Sequence, residues 1–265
     1  MNKDGAMKRS PITFFVLVFV LSIPFWLFGS MQVKWLPMNL PLSAFMFCCP
    51  LLAALILTCR EEGAGCIKRL LKRVFDYKRV KHKLWYLPIL FLMPLIMWLS
   101  YWVMRVSGRT LPEAHIPFVS IPVLFVLFFV AAACEELGWM GYVFEPMLKR
   151  WSALTAGAAL GIVWAVWHFI PFIQTSHGMI WALWQCTATV LLRIIIVWLY
   201  SNTGKSILSA ILFHDLVNVS ETLFPNNGSH YDPFITVVLL GITTAIIIFQ
   251  WGPETLVRHR HANFD

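Results

Sequence analysis

Residues 121–146 read IPVLFVLFFVAAACEELGWMGYVFEP. From Ile121 to Cys134 there is no charged side chain, and then two carboxylates follow side by side, Glu135 and Glu136. A span of the bilayer needs about 20 mostly apolar residues, so this run reads as a transmembrane helix. Backbone groups in lipid must be satisfied within the segment, which makes the run a helix rather than an open strand.

The flanking sequence repeats the pattern. Eight candidate spans follow one another, at about 12–31, 41–59, 85–104, 119–138, 152–172, 179–200, 206–224 and 233–250. Hydrophobic residues make up 59% of the chain and charged residues 13%, against about 25% charged in soluble domains. Many of the 13 Trp and 21 Phe lie near the ends of apolar runs, as rings at a membrane interface do. The fold expected is all-α: a polytopic membrane helical bundle of about eight transmembrane helices with a membrane-embedded polar cavity, forming a single membrane domain over residues 1–265. The first run is long for a signal peptide and lacks a small-x-small cleavage site, so it reads as a retained helix. Pro88, Pro94 and Pro122 fall inside spans, where kinks are tolerated.

Charge tests the count. With eight spans, 17 of the 21 Lys and Arg residues fall on one side; Lys34, Arg105 and Arg109 fall on the other, and Arg193 lies within a span. The positive-inside rule then places both termini in the cytoplasm. The net charge of +8 reports orientation and does not point to nucleic acid. The basic stretch Arg60–Lys83 carries Leu70, Leu71, Val74 and Phe75 among its charges. It is either a solvated topology determinant or an amphipathic segment on anionic lipid. The six cysteines form no CxxC pair, so neither a disulfide framework nor a zinc-thiolate cluster is expected.

Ionisable groups inside spans are functional candidates by default. Glu135 and Glu136 are adjacent, about 100° apart on a helix. They are either poised in a buried site, one as a general base, or hydrated at the helix end. His168, in VWAVWHFIPF, is either catalytic or a structural donor to a backbone carbonyl. His214 and Asn218, in HDLVN, share one helix face at i, i+4. They form either a donor pair for an oxyanion or interhelical glue. Asp215 points elsewhere, to orient a partner or to face water. Arg193 either pairs with one of the glutamates or, the reading preferred on the sequence, snorkels to the interface. His168 lies well along its span and Glu135 some 11 residues before Pro146, so matching their depths requires tilt. No HExxH, GxSxG or P-loop motif is present.

Taken together these residues resemble the CAAX protease and bacteriocin-processing family of intramembrane proteases, also called the ABI family, whose eukaryotic relatives include the Ras-converting prenyl endopeptidase. Glu135-Glu136-Leu-Gly-Trp139 before Gly141-Tyr142 is similar to its first motif. Trp164 four positions before His168 resembles the second, and His214 four positions before Asn218 the third. The similarity covers about residues 120–220. It implies a roughly eight-helix fold whose cavity opens to cytoplasm and lipid. Glu135 with His168 would activate water, His214 and Asn218 would hold the oxyanion, and Glu136 would support the first motif. It implies no cofactor, with a divalent metal such as zinc as the alternative. The substrate would be a membrane-associated peptide or lipidated protein. The short N-terminus and modest length point to a bacterial plasma membrane as the location. One position departs from the pattern: Met140 stands where the family has Arg. A non-enzymatic peptide-binding, bacteriocin-immunity or regulatory protein of the same fold is therefore the second class. A proton-linked transporter is the third, disfavoured by the ordered motifs and the lack of a two-fold repeat of broken helices.

Overall fold

A computed structural model describes residues 9–33, 40–63, 65–113, 117–174, 178–224 and 228–257. Lys3, Lys8, Lys34, Arg258 and Arg260, which entered the charge count, lie outside these residues. Ten α-helices are present among the described residues, in the order α1 (Pro11–Leu27), α2 (Cys48–Glu62), α3 (Cys66–Leu71), α4 (Tyr86–Val106), α5 (Ile121–Gly138), α6 (Phe144–Leu148), α7 (Ala153–Gln174), α8 (Met179–Asn202), α9 (Ile207–Leu223) and α10 (Pro233–Trp251). A two-stranded ribbon, β1 (Gln32–Val33) and β2 (Leu40–Pro41), is the only sheet among them.

The all-α membrane bundle expected from composition is what the chain forms. Six helical stretches are long and apolar enough to cross a bilayer: Leu42–Glu62, Lys83–Val106, Phe118–Leu148, Ala153–Gln174, Met179–Asn202 and Pro233–Trp251. The other two expected spans correspond to α1 and α9, of 17 residues each. The sequence reading overran them because apolar residues continue into turns: Phe28 and Met31 lie beyond the end of α1. Wide apolar faces point outward, as on α5, where Val123, Val126 and Val130 are all more than half exposed. A helix apolar on every side suits lipid on one face and protein on the other.

Two close approaches fix the helices around the centre. α7 and α8 form the most extensive pair, and Gly157 and Gly161 of α7 face α8 at i, i+4, the small-residue spacing that lets membrane helices touch. A Cβ on Gly161 would stand 3.0 Å from the Val190 Cα and 3.1 Å from the Arg193 Cβ. At the end of α5, a Cβ on Gly138 would meet the Pro50 carbonyl oxygen of α2 at 2.6 Å.

The basic stretch after α2 folds into α3 and short 3-10 turns. Its acidic residue caps α9: the Asp76 carboxylate accepts from Ser206 Oγ at 2.6 Å and from the backbone N–H groups of Ile207 and Leu208 at 3.1 Å each. Those amides have no partner within the helix, and a carboxylate there also answers the positive end of the helix dipole. Arg73 and Arg79 donate to the carbonyls of Lys205 and Gly204, closing the same junction. This segment is thus a structural clasp on the start of α9, more than a solvated loop.

Candidate active site

Four helices deliver the polar residues singled out in the sequence. Glu135 and Glu136 come from the last turn of α5, His168 from α7, Arg193 from α8, and His214 and Asn218 from α9. Glu135, Glu136, Arg193 and His214 are buried; His168 and Asn218 are half-buried. Directly after Gly138 the chain widens into one π-helical stretch, Trp139–Val143, which carries the fully buried Met140. Such single-turn widenings occur often at functional sites.

Trp164 joins the cluster. Its indole N–H donates to Glu135 Oε2 at 2.8 Å, and Trp139 donates to the same oxygen at 3.3 Å. Its backbone carbonyl accepts from His168 Nδ1 at 3.0 Å. Its ring stands edge-on to His168 and His214, with centroids 5.4 and 5.0 Å away, and the Arg193 guanidinium lies 4.0 Å over its face. The depths of Glu135 and His168 thus meet through the residue one helical turn before the histidine.

A carbonyl only accepts, so His168 Nδ1 carries a proton and donates, which turns Nε2 away from that carbonyl. On the other side of Trp164, Glu136 is fully enclosed. Its Oε2 accepts from Arg193 Nη1 at 2.7 Å, and its Oε1 lies 2.9 Å from His214 Nδ1. Nδ1 of His214 therefore donates to the carboxylate and Nε2 points away from it.

Two expectations change. Arg193 does not snorkel: it is fully buried and paired with Glu136, because the close α7–α8 packing holds it inside the bundle. Asp215 neither faces water nor orients a partner among the described residues; it is fully buried and both carboxylate oxygens lack a hydrogen bond. The sequence reading gave Trp164 no chemical role and missed Trp139 as a donor. The spacing of Trp164 and His168, one turn apart on one face, was the available signal. Among the described residues no group of three His, Cys, Asp or Glu side chains is placed to hold a metal ion.

The sequence profile of type II CAAX prenyl endopeptidase Rce1-like proteins matches residues 117–220, the segment that runs from the start of α5 through most of α9. Over 268 aligned residues, covering 93% of this chain and 96% of the relative, the sequence is 30% identical to CAAX prenyl protease 2 of the archaeon Methanococcus maripaludis. That similarity extends over nearly the whole of both chains, beyond the segment that carries the polar cluster. The chain belongs to the CAAX-protease-like, Rce1-like family of membrane proteins.

Proposed function

We propose that this protein is an intramembrane endopeptidase that hydrolyses a peptide bond in a membrane-associated peptide or protein tail. The observation that carries the reading is Trp164, which ties Glu135, His168, His214 and Arg193 into one group. Glu135 Oε2 is occupied by two indoles, which leaves Oε1 for a water molecule. In this mechanism Glu135 takes a proton from that water as general base and the hydroxide attacks the scissile carbonyl. His168, through Nε2, orients the water, and the proton held by Glu135 passes to the departing amine nitrogen. The carbonyl carbon becomes a carboxylic acid and the C–N bond breaks.

The tetrahedral oxyanion needs donors. Two carboxylates face one guanidinium in the cluster, so charge balance calls for one more proton. On His214 that proton makes Nε2 a donor, and the Asn218 amide stands one turn beyond it on α9. Glu136 and Arg193 act as positioning residues for His214. In this reading α1 and α9 also cross the membrane, giving eight crossings, a cavity open to cytoplasm and lipid, and both termini in the cytoplasm, with the protein in a bacterial plasma membrane.

Met140 favours a second reading, a family member that binds peptides without cutting them. It is fully buried one turn after Glu136, where no guanidinium can come from α5 itself. One experiment separates the two. Purified protein in detergent is offered a panel of membrane-tethered, internally quenched peptides, some with prenylated tails. The endopeptidase reading expects cleavage by the wild type and none by Glu135→Gln at unchanged thermal stability. Cleavage retained by the variant removes Glu135 from the mechanism, and binding without cleavage by the wild type supports the second reading.

A further inference from the structure

The clasp between α2 and α4 carries more positive charge than its own carboxylates answer. From Gly63 to Lys83 stand eight Lys and Arg residues and a single carboxylate, Asp76. Arg73 and Arg79 both approach Asp76, and Arg69 pairs with Glu62. Lys68, Lys72, Lys78, Lys81 and Lys83 are all exposed, and among the described residues none of them has a carboxylate partner.

Two of these five stand at the end of a groove. Lys81, His82 and Lys83 line one end of a hollow of about 440 Å³, and Leu84, Leu87 and Phe91 continue it along the start of α4. The three apolar residues follow i, i+3, i+7 on one helix face, and each is more than half exposed. Seven helical residues at 1.5 Å each extend this apolar floor about 10 Å from Leu84 to Phe91. Lys83 Nζ donates to the Val80 carbonyl at 3.2 Å, which leaves two of its three N–H groups for another acceptor. The bias of lysines to one face of a membrane explains their side. It does not explain an apolar groove that begins beneath them and runs into the span. Cations above and an apolar track below match a phospholipid whose headgroup is anionic. A zwitterionic headgroup brings its own ammonium and gains less from the two lysines.

We propose that this groove binds an anionic phospholipid, with the headgroup phosphate between Lys81 and Lys83 and an acyl chain over Leu84, Leu87 and Phe91. In the eight-crossing arrangement it belongs to the cytoplasmic leaflet. Lys81 follows Asp76 by five residues, and Arg79 between them donates to the Gly204 carbonyl. The bound lipid therefore braces the junction that caps α9, and a ligand that binds only the folded state raises its stability. The inference does not depend on catalysis.

The test titrates full-length protein in detergent with phosphatidylglycerol or phosphatidylcholine of identical chains. Native mass spectrometry reads binding and thermal unfolding reads stability. Wild type is expected to bind one phosphatidylglycerol about tenfold more tightly than phosphatidylcholine and to unfold at a higher temperature with it. Lys81→Gln/Lys83→Gln removes that difference. Lys68→Gln/Lys72→Gln deletes the same charge elsewhere on the clasp and leaves it in place. Leu87→Gln spares the lysines and weakens binding through the apolar floor. Unfolding in phosphatidylcholine is the control for folding of each variant. Equal loss in the two lysine pairs means a diffuse surface attraction and overturns the groove. Stabilisation by inorganic phosphate equal to that by phosphatidylglycerol also overturns it, because the apolar floor then contributes nothing. Displacement of bound phosphatidylglycerol by the membrane-tethered peptides would assign the groove to a peptide instead, and the proposal would fall while the endopeptidase reading stood.

Discussion

The indole N–H of Trp164 donates to Glu135 Oε2 at 2.8 Å while the backbone carbonyl of the same residue accepts from His168 at 3.0 Å. One residue thus sets the orientation of two groups from different helices. Trp164→Phe keeps most of the ring and deletes the donor to Glu135. A hydrogen bond to a charged group contributes about 1.5–3 kcal/mol, so kcat for peptide cleavage should fall about 10- to 100-fold with KM little changed. Trp139→Phe, which removes the longer bond to the same oxygen, should fall less. Equal activity in wild type and Trp164→Phe would show that the indole does not position the base.

Arg193 and Glu136 form a fully buried ion pair. Removing one partner strands the other charge, at a cost of about 3–5 kcal/mol. Arg193→Met should therefore lower the unfolding temperature in detergent sharply, and the double variant Arg193→Met/Glu136→Gln should recover part of the loss. A double variant no better than the single one would mean that the pair is not coupled as drawn.

Gly161 lets α7 reach α8 beside Arg193. Overpacking a tight contact costs about 1–3 kcal/mol, so Gly161→Val should destabilise the protein. It should also depress cleavage beyond what stability explains, because His168 and Arg193 sit on the two helices it pushes apart. Cleavage measured well below the unfolding temperature, set against the thermal shift, separates the two effects.

Asp76→Ala removes three hydrogen bonds to the start of α9. Loss of a cap costs about 0.5–2 kcal/mol. The cap lies far along the chain from the polar cluster, yet α9 carries His214 and Asn218. Hydrogen exchange should rise first at the amides of Ile207 and Leu208; protection unchanged there would dismiss Asp76 as the cap.

Much of this was visible in the sequence. Apolar runs announced the spans, since lipid demands them, and carboxylates and imidazoles within those runs announced the cluster. What escaped was lateral. Snorkelling depends only on one helix, whereas the pairing of Arg193 with Glu136 of α5 depends on α8 being drawn into the bundle against α7. Gly157 and Gly161 carried that information as a small-residue spacing that went unread. Asp76 sits in a stretch dominated by Lys and Arg, and nothing near it in sequence says that it caps a helix 130 residues later. The lengths of α1 and α9 were overestimated because hydropathy does not mark where a chain turns.

Arg9, at the very edge of α1, donates to the carbonyls of Gly141 and Tyr142 and forms an ion pair with Glu62. The π-helical stretch following the two glutamates is therefore latched from outside by the beginning of the chain. Trimming the N-terminus past Ser10 for crystallisation, or fusing a rigid partner there, would unlatch the segment beside the two glutamates, so an expression vector is safer carrying its tag at the opposite end.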